Sequence, residues 1–499
     1  MVEFVLKAFN DSDIEAKSKE DITFIVLGAS GDLANKKIFP ALFQLYQNNL
    51  ISRKIHVIGY ARTKMNNQEF HSRFSSYIKI TSKDESVFKE FKNACTYISG
   101  KYNNNGFKKL LFHCEEIEDK SQKQSRIFYM ALPPNIFNCA SYYLKKLLYP
   151  ESGIARLVIE KPFGKDFESN KKLQKALTCM WKENEIFRID HYLGKEMVKN
   201  LLIMRFSNVF LDASWNKHYI SNIRIIFKEP FGVEGRGGYF NEFGIIRDVM
   251  QNHLLQILVI LAMERPDSFF SDDIRDRKVK ILQDIPVIEP KDVIIGQYTC
   301  SEDRSKLGYT DDETIPKDSR CPTFAALTMF IENERWKCVP FILIAGKALD
   351  EQKVEIRIQY KDAFGEMFGN VLRNELVISI QPEEGIHMNI NSKYPGLDMY
   401  AVSTKLNFIY KHEFPNIKIP EAYESLLLDA IKGDQSNFVR DDELDHSWRI
   451  FTPLLHYLDE HEDIKPILYP YGSGGPSELF DYIKSYGCKL CQINITFYN

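Results

Sequence analysis

The chain has 499 residues, of which 44% are hydrophobic and 27% charged. That is an ordinary globular composition, long enough for three domains of about 150 residues each or two larger ones. Lys and Arg number 65 against 68 Asp and Glu, a formal charge of −3, which excludes a nucleic-acid binder acting through bulk positive charge but allows a local basic pocket; 25 Gly and 20 Pro are too few for a disordered or fibrous chain.

Residues 1–20 are polar and mixed in charge and read as a tail. Residues 23–28 form a continuous β-branched run ending in Gly28, the pattern of a buried strand. The segment GASGDLANKK follows over 28–37 and leads into residues 38–46, apolar at helical spacing. Further strands are predicted at 54–59, at 126–132 before Pro133-Pro134, and at 155–160 before Lys161-Pro162. Helical patterns lie between them. Over 21–190 this alternation predicts an α/β Rossmann-like coenzyme domain, a parallel sheet with helices on both faces. From 191 to 499 the pattern changes to long alternating runs at 223–227, 324–332, 353–359 and 375–381, with helices at 245–263 and 421–432. A second, α+β domain around a large, mostly antiparallel sheet is expected there. The junction near 190 has no low-complexity linker, so it reads as a packed boundary of the kind where ligand clefts form.

The longest apolar run, 254–255 and 257–263, is broken by Gln256 and falls far short of the roughly 20 residues a bilayer-spanning helix needs. The start MVEFVLKAFNDSD lacks the basic and apolar regions of a signal peptide. Nine scattered cysteines suit reduced thiols in a cytoplasmic protein better than a disulfide scaffold. Cys488 and Cys491 have metal-ligand spacing, but no second pair accompanies them, and unpaired thiols are the favoured reading. No metal, nucleic acid or membrane is expected.

The glycine turn between the first strand and its helix is where backbone N–H groups and a helix N-terminus hold a pyrophosphate. It makes Gly28, Ser30, Gly31, Asp32 and Leu33 cofactor-binding candidates, although the full GxGxxG spacing is missing and a ligand-free turn is the other reading. The second strand ends Gly59-Tyr60-Ala61-Arg62 with no carboxylate for a ribose hydroxyl. A cation there suits the 2′-phosphate of NADP; the alternative is a solvated surface charge. Lys161 follows the fourth predicted strand, and ligands of open α/β sheets lie outside the carboxyl ends of strands. In Arg188-Ile-Asp190-His191-Tyr192-Leu-Gly-Lys195, a helix starting at 191 would put His191 and Lys195 on one face near its positive end, with Tyr192 adding a donor. That arrangement resembles a phosphate clamp. His253 directly precedes an apolar stretch that would hold it rigidly, and an imidazole there could act as a base if a carboxylate oriented it. Asp248 is about 140° away on an ideal helix, a poor orienting partner and a better sugar-hydroxyl acceptor.

Together these segments resemble the glucose-6-phosphate dehydrogenase family. They are Gly28-Ala-Ser-Gly-Asp-Leu-Ala34, Glu160-Lys-Pro-Phe-Gly164, Arg188 to Glu196, Lys228-Glu-Pro-Phe-Gly232, Gly235-Arg-Gly-Gly-Tyr-Phe240, Arg247 to His253, Glu334-Arg-Trp336 and Gly346-Lys-Ala-Leu349, in the family's order across about residues 22–480. The resemblance implies oxidation of glucose 6-phosphate to 6-phosphogluconolactone, the first oxidative step of the pentose phosphate pathway, with NADP⁺ as acceptor. It implies His253 as general base, Asp190 as the carboxylate that orients it, and Lys161 as a third catalytic residue beside both substrate and cofactor. His191, Tyr192 and Lys195 match the substrate-phosphate site. Lys161, Glu229, Asp248 and Lys347 match sugar-binding positions, Gln381 a further polar contact, and Arg62 the 2′-phosphate contact. It also implies a homodimer or homotetramer built through the second-domain sheet.

Three departures from the family pattern stand out. Gln352 replaces an Arg near the substrate phosphate, and Phe137 replaces a Tyr near the cofactor. Of a second, structural NADP site known in animal enzymes, Lys353 and Arg357 are kept, but Ser379, His387, Asn389, Asn407, Ile409 and Gly474 are not matched. That site is expected to be absent or very weak. The rival readings are another NADP-dependent phosphosugar dehydrogenase and a non-catalytic NADPH-sensing relative; the sensor would have lost His253, Asp190 or Lys161, and all three are present.

Overall fold

The first sheet is entirely parallel. Its strands are β1 (Ile22–Leu27), β2 (His56–Ala61), β3 (Cys95–Ser99), β4 (Gln124–Met130), β5 (Gly153–Ile159) and β6 (Ile186–Arg188), in the order β3-β2-β1-β4-β5-β6. This is a computed structural model, and it describes residues 21–119, 123–363, 368 and 371–489; the 1–20 tail and Cys491 lie outside the described residues. β1 is buried along its whole length, because helices cover both faces of a parallel sheet and leave no polar side. Phe24 and Val26 pack with Phe39, Leu42 and Phe43 of the helix Phe39–Gln47. The four strands read from the sequence are present; β3 and β6 escape the pattern. β3 follows a helix without a turn residue, and β6 is three residues long, too short for a period to register.

The second sheet has nine strands: β7 (Ile220–Lys228), β8 (Val293–Thr299), β9 (Phe324–Met329), β10 (Phe341–Gly346), β11 (Lys353–Tyr360), β12 (Glu375–Gln381), β13 (Gly385–Lys393), β14 (Ala401–Ile409) and β15 (Ile467–Pro470). Their order is β14-β13-β12-β11-β7-β10-β9-β8-β15. The β7–β10 and β8–β15 pairs are parallel and the other pairs antiparallel, so the large, mostly antiparallel sheet read from the alternating runs is present.

The chain folds as two units. One holds the described residues through Gly194 with Asp267–Arg275 and Pro420–Asp445; the other holds Lys195–Pro266, Asp276–Ile419 and His446 onward. A single cut near 190 does not anticipate the two later segments. The helix Ala422–Lys432 contributes Leu426, Leu427, Ala430 and Ile431 to the same core as β1, because its apolar face matches the uncovered flank of the parallel sheet rather than its neighbours in sequence.

One helical run, Gly237–Ala262, is long and apolar enough to cross a membrane by length and composition, with 83% of its most apolar window buried inside the protein. The sequence estimate missed its length by counting only uninterrupted apolar residues. The burial makes it a core helix, and Gly244 interrupts it with φ 66° and ψ 171°.

Candidate active site

In the first unit the candidate groups follow the carboxyl ends of parallel strands. Gly28 ends β1 at φ +82°, and a Cβ there would sit 2.0 Å from the carbonyl oxygen of Ala131. Only glycine fits such a backbone. Its N–H donates to Tyr60 O at 2.8 Å, Gly31 N–H donates to Gly28 O at 2.9 Å, and the Asn35 amide donates to Gly31 O at 2.8 Å. These bonds hold the turn while Gly31 and Asp32 remain exposed. Asp32 pairs with Lys36 one helical turn on, and Leu33 leads into the wide helical turns Ala34–Ile38. Arg62 is exposed at the end of β2. Its neighbour Thr63 donates from Oγ1 to Ser30 Oγ at 3.1 Å, which ties that strand end to the glycine turn. An exposed turn rich in backbone amides, with a cation on the adjacent loop, fits a dinucleotide carrying a 2′-phosphate.

Lys161 follows β5 and Asp190 follows β6. Asp190 is buried and accepts the Tyr192 N–H at 3.0 Å. That bond closes a short 3₁₀ turn, His191–Gly194. The strand beneath is anchored by Arg188, fully buried, whose guanidinium donates to Gln174 at 2.7 and 3.1 Å and to Glu183 at 2.5 and 2.9 Å. The imidazole of His191 lies parallel to the ring of Tyr423, 6.1 Å between centroids and 6° between planes.

The single helix expected from 191 is not formed. The 3₁₀ turn ends at Gly194, Lys195 has extended backbone angles (φ −74°, ψ 139°), and a new helix runs Glu196–Ser207. His191 and Lys195 therefore share no helix face, because the tight turn closed by Asp190 uses up the residues that would have started a continuous helix. Lys195 stands instead at the cap position of the new helix.

In the second unit Lys195 donates from Nζ to Gln381 Oε1 at 2.7 Å, so two sugar- or phosphate-site candidates far apart in sequence meet. Gly346 lies opposite Lys228 in the parallel β7–β10 register. The next residues are Lys347 and Glu229, and their side chains pair at 2.5 Å. Lys347 Nζ also lies 5.3 Å from the Phe240 ring centroid and 5.8 Å from that of Phe231. His253 is buried at the end of a stretch of wide, π-type turns, Ile246–Leu254, and its N–H donates to Asn252 Oδ1 at 2.7 Å. The ideal-helix angle used for Asp248 does not apply there. In π turns the backbone bond spans five residues, so positions 248 and 253 fall on one side of the helix. Burial and the carboxylate of Asp248 together push the Tyr239 phenol up to about 12. Tyr239 is a polar group the sequence reading passed over, its only signal being a Tyr inside a glycine-rich run.

The residues of the three departures are also placed. Phe137 is fully buried and Gln352 exposed. Lys353 pairs with Glu351 at 2.6 Å, and Arg357 with Glu355 at 2.7 Å and Glu375 at 2.9 Å.

Comparison with known proteins gives two family models that together span nearly the whole chain. The glucose-6-phosphate dehydrogenase NAD-binding domain matches residues 25–200, and the glucose-6-phosphate dehydrogenase C-terminal domain matches 202–491. This chain belongs to the glucose-6-phosphate dehydrogenase family. Glucose-6-phosphate 1-dehydrogenase of Emericella nidulans is 60% identical over 96% of the chain and 94% of the relative. A structure of a glucose-6-phosphate dehydrogenase in complex with its substrate glucose-6-phosphate aligns with TM-score 0.92 at 49% identity, covering 95% of this chain and 99% of the other. The family member of Mycobacterium avium aligns with TM-score 0.81 at 30% identity, over 96% and 99% of the two chains. Membership makes the chain an oxidoreductase, and the fold the resemblance implied, a parallel Rossmann-like domain followed by a large mixed sheet, is the one present.

Proposed function

We infer that the chain oxidises D-glucose 6-phosphate at C1 to 6-phospho-D-glucono-1,5-lactone, with transfer of hydride to NADP⁺, the first oxidative step of the pentose phosphate pathway. The observation that carries this reading is likeness to glucose-6-phosphate 1-dehydrogenases along 96% of the chain, with His253, Asp190 and Lys161 all kept.

Bound NADP⁺ supplies the hydride acceptor. Gly28, Ser30, Gly31, Asp32 and Leu33 would hold its pyrophosphate side, Arg62 its 2′-phosphate, and Lys161 the end near the sugar. His253 takes the proton from the C1 hydroxyl as the C1–H bond breaks and its electron pair leaves as hydride, so the C1–O bond becomes a carbonyl. Asp190 orients the imidazole and stabilises its protonated form. His191, Tyr192 and Lys195 bind the substrate phosphate, remote from C1, and their binding energy holds C1 in place. Glu229 and Lys347 offer an acceptor and a donor to sugar hydroxyls, with Asp248 and Gln381 as further contacts.

The cytoplasm and a homodimer or homotetramer complete the reading. All eight described cysteines are free, as suits a reducing compartment. Light scattering at micromolar concentration tests the assembly; a monomer mass rejects it. The decisive assay is NADPH absorbance with glucose 6-phosphate and NADP⁺ or NAD⁺. Reduction of NADP⁺ with another phosphosugar but not this one would favour the rival dehydrogenase.

A further inference from the structure

Glu160 is a buried carboxylate that opens the motif 160–164, but neither the family resemblance nor the mechanism above gives it a role. It directly follows β5. The Tyr129 hydroxyl on the neighbouring strand β4 donates to it, and so does the Tyr423 hydroxyl from the helix Ala422–Lys432. Three consequences meet at this side chain. Tyr423 lies parallel to His191. Asp190 is close enough for the two like charges to repel, and Lys161 close enough to attract. Every one of these groups sits in the first unit.

Resting on the dehydrogenase reading, we propose that Glu160 is a positioning residue for the reaction: its ionised carboxylate, held by Tyr129 and Tyr423, fixes the turn that carries Asp190 and His191 and adds a second negative charge near Asp190. A carboxylate accepts both phenolic O–H groups at once, whereas an amide offers one oxygen and turns an NH₂ toward the other hydroxyl. The charge also matters by itself. A negative group near Asp190 favours the protonated imidazole that Asp190 stabilises in that reading, and so raises the basicity available for proton removal.

A merely structural anchor predicts different behaviour. Burial raises the Glu160 carboxyl above its ordinary range, against the lowering by its two tyrosines. A carboxyl raised in the folded chain favours folding most at pH below its unfolded value and progressively less as pH rises through the folded one. Ionising the buried carboxyl as pH rises therefore costs stability, a cost that Glu160→Gln does not carry. The titrating and charged groups facing it are Tyr129 from β4, Lys161 beside it, Asp190 after β6 and Tyr423 from the helix.

The test is the pH profile of kcat/KM for glucose 6-phosphate in Glu160→Gln, with Tm and NADP⁺ affinity measured on the same protein. We expect kcat/KM to fall about tenfold or more, the loss of one charge-assisted hydrogen bond. The acidic limb should move to lower pH, while Tm does not fall and NADP⁺ affinity changes less than about twofold. Glu160→Asp should restore part of the rate and the limb. An unshifted limb, or a rate loss that simply follows a lowered Tm, overturns the proposal. If Glu160→Gln does not fold, Tyr129→Phe, which keeps the ring but removes a donor that favours the charged carboxylate, should move the limb in the same direction by less, with a smaller rate loss; a limb that stays in place or moves to higher pH overturns the proposal. The wild-type chain assayed in parallel separates the two claims: no NADPH formation there refutes the dehydrogenase reading, whereas an active wild type with an unaltered variant refutes only the role of Glu160.

Discussion

In the parallel sheet, Gly28, Arg62, Lys161 and Asp190 each follow a different strand within two residues of its end. In the nine-stranded sheet, Glu229 and Lys347 do the same after β7 and β10, one of its two parallel pairs. Gln381 is the last residue of β12, and Asp248 and His253 lie on a helix. The difference teaches how each region builds a site. Parallel strands deliver their ends to one edge, so a wholly parallel sheet gathers candidate groups by topology alone. A mostly antiparallel sheet sends alternate ends to opposite edges. It must supplement its parallel pair with side chains reaching across, as Lys195 does to Gln381, and with a helix whose turns are locally widened.

Four experiments break or sharpen that contrast, beyond the Glu160 series. The largest effect is expected in the second region. His253→Asn should lower kcat by about 10²–10⁴, the worth of a positioned general base, while calorimetry shows NADP⁺ binding intact. Near-normal turnover would remove His253 from the base role and leave the helix merely structural.

Next is the turn of the first region. Gly28→Ala must push a Cβ against the Ala131 carbonyl, 2.0 Å away, at φ +82°. The strain and overpacking should cost about 2–4 kcal/mol, read as a clear fall in Tm together with weaker NADP⁺ binding. An unperturbed Tm would mean that the turn relaxes freely and is no rigid cradle.

Arg62→Ala should reduce the NADP-over-NAD ratio of kcat/KM about ten- to hundredfold, the worth of a charged hydrogen bond of about 1.5–3 kcal/mol. An unchanged ratio would return Arg62 to the solvent-facing reading.

The smallest effect is a heat that should not appear. Lys353 and Arg357 are already paired with the chain's own carboxylates, so a second dinucleotide phosphate would have to displace Glu351, Glu355 and Glu375. Titration with NADP⁺ should show one binding event per chain, and two distinguishable events would refute the absence of a second site.

Local pattern made much of the first region legible. The run of β-branched residues into Gly28, and the stops at Pro133 and Pro162, mark strand ends directly, and a strand end is where a ligand-facing residue must stand. The short β6 and the 3₁₀ turn after it were hidden, because Arg188 and Asp190 shape them through buried partners such as Gln174 and Glu183, which are remote in the pattern though near in the chain. The wide turns around Asp248 and His253 were equally hidden: a periodicity of 3.6 residues is assumed before it is tested. The Lys347–Glu229 pair could not be read at all without the register of β7 against β10.

By itself the sequence determined the strand-and-turn chemistry of the coenzyme domain, the class of the second sheet and which side chains are candidates for the site, since those depend on residue type and near-neighbour spacing. Tertiary structure alone decided which charges are paired, where helices break or widen, and that helix 422–432 completes the core of β1. These outcomes depend on burial and on register between segments hundreds of residues apart, and no local spacing encodes the desolvation that makes a buried group such as Glu160 require its particular partners.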